Sequence, residues 1–173
     1  MGKKRMIGLA AAVAVVFLCV IPFAFAEDKE ITRLTLRGIK EVNVVIEPIE
    51  PEIQNLGLTQ SQVQADVEAK LRGANIAVVQ QIERGRPAVY LYVQVMRPEK
   101  INRLFYSISL SLLQNVVLER DPEVRTNTDT WVARSLGMSS GTEAIRADIR
   151  ALLDQFVEDY GKANVTKPAE AEE

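Results

Sequence analysis

The sequence predicts an α+β fold: a two-layer sandwich in which a mostly antiparallel sheet of about four to five strands carries two helices on one face. Three observations predict it. Residues 59–72 and 140–161 each pair helix start and stop chemistry with an apolar stripe. Residues 88–96 and 104–112 alternate apolar and polar side chains with period two. The breaks between the later strands, at residues 83–87, 97–100 and around Asp121-Pro122, are turn-length and suit hairpins.

Taken in order, residues 31–46 read as strand, one bent or two short. The runs are Thr32-Arg33-Leu34-Thr35-Leu36-Arg37 and Val42-Asn43-Val44-Val45-Ile46, with Gly38 as the bend. Residues 47–52 hold two prolines and three acids, which cannot continue a central strand and read as an extended acidic connector. The first helix covers residues 60–72. Thr59 is its N-cap, Gln62 completes a capping box, Leu58 staples against Val63, and Gly73 stops it. Val63, Val67 and Leu71 form its stripe.

Residues 76–80 are a short strand. In residues 88–96, Val89, Leu91, Val93 and Val95 face the core, while Tyr90, Tyr92, Gln94 and Met96 face away. In the next strand Leu104, Tyr106, Ile108, Leu110 and Leu112 share one face and Phe105, Ser107, Ser109 and Ser111 the other. Parity fails around Leu113-Gln114-Asn115, which marks a bulge or bend. Residues 125–136, rich in Thr and carrying Trp131, give a third long strand at the sheet edge. The last helix has Ser140 as N-cap, Glu143 at N3, a stripe of Ile145, Ile149, Leu152, Phe156 and Tyr160, and Gly161 as its end.

The chain has 173 residues and a net charge of −2, but its first 26 residues distort the bulk figures. Met1-Gly2-Lys3-Lys4-Arg5 is a basic start, residues 6–21 are uncharged and apolar, and Ala24-Phe25-Ala26 offers the small side chains a signal peptidase needs. The order is that of a secretory signal peptide cleaved after Ala26. An uncleaved anchor is the rival, since the uncharged run is long enough to span a bilayer. Lipidation of Cys19 lacks the small preceding residue, because Leu18 stands there. The domain plan is therefore a leader at 1–26, a single α+β domain at 27–161 and a disordered acidic tail at 162–173. Without the leader, 18 Lys and Arg stand against 23 Asp and Glu, and no cysteine remains. The expected location is the bacterial periplasm.

The absence of His, and of Cys beyond the leader, excludes most zinc sites, thiol nucleophiles and Ser-His-Asp triads. The acidic balance speaks against nucleic acid. No motif calls for a cofactor or a metal, and the membrane enters only through an uncleaved leader. The candidate binding residues are Tyr90, Tyr92, Ser107 and Ser109, with Ser111 beside them, on the sheet face turned from the core. Tyr with Ser supplies rigid contact area beside small hydrogen-bonding groups. The expected partner is a protein of the cell envelope, or a second copy. Two other classes stand beside this one. Glu119, Asp121, Glu123 and Asp129 suggest a carboxylate hydrolase of envelope glycans, and a space between helices and sheet would suit a small-molecule or lipid carrier.

The leader, the helical segment LTQSQVQADVEAKLRGANI at 58–76, the strands PAVYLYVQVM and YSISLSLLQNVVLERDP, and the helix RALLDQFVEDY together resemble a family of small exported bacterial proteins with no assigned activity. At the level of fold the chain is similar to the TolB amino-terminal domain and the curli-secretion lipoprotein. The resemblance implies an α+β envelope domain and carries no catalytic residues, so any activity has to be argued from a site.

Overall fold

The computed structural model describes residues 29–165 apart from residue 84. The leader with its cleavage point, and most of the expected tail, lie outside the described residues. Five strands form one sheet in the order β2-β1-β3-β4-β5: β1 (Glu41–Ile46), β2 (Ala77–Val78), β3 (Ala88–Met96), β4 (Leu104–Leu118) and β5 (Asp121–Ser139). β1 runs parallel to β2 and β3, and the long pairings β3–β4 and β4–β5 are antiparallel. The α+β class holds, on a mixed sheet. Four helices are present among the described residues, against the two expected: α1 (Lys29–Leu34), α2 (Pro51–Asn55), α3 (Gln60–Gly73) and α4 (Thr142–Asn164).

The two extra helices arise where local pattern and tertiary packing disagree. α1 occupies part of the expected first strand. Six residues are too few for periodicity to separate helix from strand, and this turn is held from outside. Arg33 lies 3.3 Å from Asp159 as an ion pair not aligned as a hydrogen bond. Thr35 Oγ1 donates to the carbonyls of Thr32 and Thr130, and Leu36 is fully buried. Gly38, at φ 75°, then reverses the chain into β1. α2 takes over the last two residues of the expected acidic connector, Pro51 and Glu52, and runs on to Asn55. Pro51 sits at its first turn, where a missing N–H costs nothing, and Ile49 and Ile53, four residues apart, are both buried.

α3 starts with the expected capping box: the Thr59 side chain accepts from Gln62 N–H, and Gln62 returns a bond to Thr59 N–H. It runs through Gly73, and the left-handed residue that ends the turn is Asn75 at φ 60°, a conformation Asn tolerates. α4 begins after Gly141 rather than Ser140, whose side chain makes no cap, and passes through Gly161 to Asn164. Residues 162–164, expected in the tail, are therefore helical.

α3 and α4 touch each other, α3 lies against β1 and β2, and α4 lies against β4 and β5. Between them and the sheet sit Val63, Val67, Leu71, Val89, Leu91, Ile108, Leu110, Leu112, Ile145, Ile149 and Phe156, all essentially without solvent exposure. Burying each such side chain contributes about 1.5–3 kcal/mol before entropy is counted. Trp131 belongs to this core, its ring edge-on to Phe156 at 5.0 Å and 83°, with its indole N–H donated to Asp159. The parity break near Leu113 is a bulge: β4 pairs Leu112 with Trp131 and Leu113 with Asp129, which leaves Thr130 as the extra residue.

Candidate functional site

The outer face of the sheet follows from the pairing register. Tyr90 lies opposite Ser111, Tyr92 opposite Ser109, Gln94 opposite Ser107 and Met96 opposite Phe105. Across to β5, Ser111 meets Val132, Ser109 meets Arg134, Ser107 meets Leu136 and Phe105 meets Met138. Because side chains alternate between faces, these form successive rows across three strands. The expected binding residues Tyr90, Tyr92, Ser107 and Ser109 thus lie on one surface. Tyr92 is well exposed, Tyr90, Ser107 and Ser109 are half-buried, and Ser111 is buried between its neighbours.

One end of this face is aromatic and acidic. Tyr90 O–H donates to the Glu47 carboxylate in a very short contact. That hydrogen bond, then burial, pushes the Tyr90 phenol up to about 12. A shallow depression of about 490 Å³ runs beside it, lined by Tyr90, Tyr92, Ser109, Ser111, Leu113 and Asp129. Under the β1 side of the sheet the same face is closed. Asn43 is buried there, and its amide donates to the carbonyls of Val79 and Gln81, so the chain after β2 is fastened over β1. Arg86 ties the same loop to Glu41 at 2.9 Å.

The other end is apolar, and sequence reasoning did not single it out. Leu136 is 85% exposed, Met96 63%, Met138 59% and Phe105 37%. They adjoin one another through the Gln94–Ser107–Leu136 and Met96–Phe105–Met138 rows. A smaller depression of about 180 Å³ opens among Gln94, Met96, Phe105, Ser107 and Leu136. The signal that could have found this end is the strand parity of β5. It is hard to read because the inner positions hold Ala133, Ser135 and Gly137 while Leu136 and Met138 point outward.

The inner positions of β5 beyond Trp131, at Ala133, Ser135 and Gly137, are small because β4 and α4 fill the space. Tyr106 lies over Gly137, where an added Cβ would come within 2.3 Å of the ring. Tyr106 O–H and Ser135 Oγ both donate to one oxygen of Asp148, at 2.9 and 2.7 Å. Burial, then the Asp148 hydrogen bond, raises the Tyr106 phenol above its usual range.

The acids suggested for glycan hydrolysis do not converge. Glu119, Asp121 and Glu123 lie at the β4–β5 turn, and Asp129 stands at the base of the hairpin, about 27 Å from Asp121 at the usual strand rise. No group of three or more acids able to hold a metal occurs among the described residues. The space between helices and sheet is filled by the core side chains, and the outer groove between α3 and α4 is crossed by ion pairs. Arg146 binds Asp66 through both carboxylate oxygens at 2.7 and 3.0 Å, and Lys70 binds Asp154. The Arg146 bond holds the Asp66 carboxyl below its ordinary range.

No helix among the described residues is long and apolar enough to cross a membrane. No protein-family model and no curated protein matches the chain. Among solved structures it is similar to a minor lipoprotein from Acinetobacter baumannii, with 8% identity and a TM-score of 0.32 over 76% of this chain and 99% of that one. A likeness at that score carries no argument about fold or function.

Proposed function

We propose that this chain is an exported accessory domain of a bacterial cell envelope that binds a protein partner through the outer face of its sheet. The observation that carries the reading is the contiguous apolar end of that face, Met96, Phe105, Leu136 and Met138, on a surface whose remaining rows carry Tyr, Ser, Gln94, Arg134 and Asp129. Singly exposed apolar residues are ordinary; a contiguous group bordered by polar residues marks an interaction site. Tyr90 and Tyr92 add rigid amphipathic area beside it, and the serines add small donors and acceptors. The leader read from residues 1–26 supports export.

A photo-activatable phenylalanine analogue placed at Tyr92 or Leu136, and at Glu143 on the helical side as control, tests the reading in intact cells. Adducts from the first two positions and none from the third are the expected result. Equal labelling from all three, or none from any, would rule out the outer face as the binding surface.

A further inference from the structure

The outer face has unlike ends, and two of its charged side chains, Arg134 and Asp129, are placed symmetrically, with Arg125 farther out opposite Val117. On β5, Arg134 lies one row to one side of the Ser111–Val132 row, and Asp129 lies one row to the other, opposite Leu113. Farther out, Phe105 stands three rows to one side of Ser111, and Val117, 45% exposed, three rows to the other. A two-fold axis crossing the strands at the Ser111 row exchanges these positions.

We infer that the occupant of the outer face is the outer face of a second copy of this chain, packed with its strands reversed. This rests on the reading of that face as the interaction surface and names its partner. The arrangement sets Arg134 of each copy against Asp129 of the other, and Phe105 and Met138 of each against Val117 and the Arg125 side chain in the other's β4–β5 hairpin. Stacking without reversal would set Arg134 against Arg134 and Asp129 against Asp129. A closed two-fold contact of this kind is self-complementary by construction. The overlapping face is roughly 40 Å long at the strand rise and two to three strands wide. Two such faces remove on the order of 1,000 Å² from water, the threshold of a specific interface. Aligned sheets pack at about 10 Å, a distance that side chains of Phe, Met and Tyr size can fill from both sides.

Sedimentation equilibrium of the full chain, expressed with its leader and purified from the envelope, reads the association. The wild type is expected to form dimers at micromolar concentration. Leu136→Glu should abolish them, and Arg134→Asp or Asp129→Arg should each weaken them about tenfold or more. The double variant Arg134→Asp with Asp129→Arg should recover most of the loss, because it restores both charge pairs with their signs exchanged. All three positions are on the surface, and near-ultraviolet circular dichroism verifies that each variant is folded. A wild type that stays monomeric at high micromolar concentration overturns the inference. So does a dimer indifferent to Leu136→Glu, or one whose charge-swapped form fails to recover. A monomer that still gives envelope adducts from Tyr92 would overturn self-association while leaving the face as a site for another protein. A monomer that sediments with phosphatidylglycerol vesicles would assign the apolar end to a lipid surface instead.

Discussion

Gly137 is required by a neighbour and not by its own backbone. It lies opposite Tyr106 in the β4–β5 ladder, and the Tyr106 ring occupies the volume a Cβ would take. Gly137→Ala should therefore lower stability by about 1–3 kcal/mol, the usual cost of overpacking, and Tyr106→Leu in the same chain should recover part of it. Urea unfolding of the two variants and the pair measures this; additive losses would contradict it. Tyr90 offers a second reading at this scale. Its folded pKa, about 12, is raised chiefly by the Glu47 hydrogen bond above the value near 10 expected for an unfolded chain. The stabilising contribution is thus fully present below about pH 10 and is lost as pH rises through 12. In an ultraviolet phenolate titration, Tyr90→Phe should remove the component near pH 12, and Glu47→Gln should move it to lower pH. An unchanged high-pH component in both variants would assign it to another tyrosine.

Elements differ in how much of their strength is local. β3 was legible to the residue, because its nine residues alternate strictly and every inward position is a branched aliphatic that the core accepts. α3 was legible from its cap. α1 was not, since its helical turn is fixed by Asp159 and Thr130, which are remote in sequence, and α2 was hidden by a proline-rich composition that reads as loop. The outer Tyr and Ser were legible from β3 and β4; the apolar end was not, since residues 133–138 of β5 place the larger Leu136 and Met138 outward and leave the inner space to Tyr106 and Asp148. The β4–β5 hairpin shows the same division along its own length. Gln114 is anchored by bonds to Thr35 and Thr130, but residues 119–129 are exposed on both faces. A two-stranded ribbon without cover is marginal in water. Hydrogen exchange at low protein concentration should be at least about a hundredfold faster for amides of residues 115–128 than for residues 105–112 of the same ladder. Uniform protection along both strands would show that the ribbon is covered even in the monomer.

At the scale of the whole molecule, the two ends of the described chain are locked together beside the base of that hairpin. Asn164 accepts from Gly38 N–H at 2.8 Å and donates to Leu36 and Tyr160 carbonyls. Tyr160 O–H donates to the Ile39 carbonyl at 2.8 Å, and Arg37 reaches the Ala163 carbonyl. This clasp closes the sandwich. Leu36 and Ile39 are both buried in the core, and the bonds from the end of α4 span the turn between them, so the sheet and the long helix share a boundary there. It also explains why α4 passes Gly161: Ala163 and Asn164 beyond it bond to Arg37, Gly38 and Leu36. Asn164→Ala together with Tyr160→Phe should therefore expose the segment around Gly38 to limited proteolysis and lower the unfolding free energy by about 1–3 kcal/mol. The outer face, on the other side of the sheet, should keep its dimerisation and crosslinking behaviour in that variant. If stability and cleavage are both unchanged, residues 36–39 are held by burial of Leu36 and Ile39 alone, and the hydrogen bonds to α4 are incidental. If the clasp opens and outer-face binding is lost with it, the two faces of the sheet are coupled, and the hairpin base at Gln114 and Thr130 is the place where α1 and the outer surface meet.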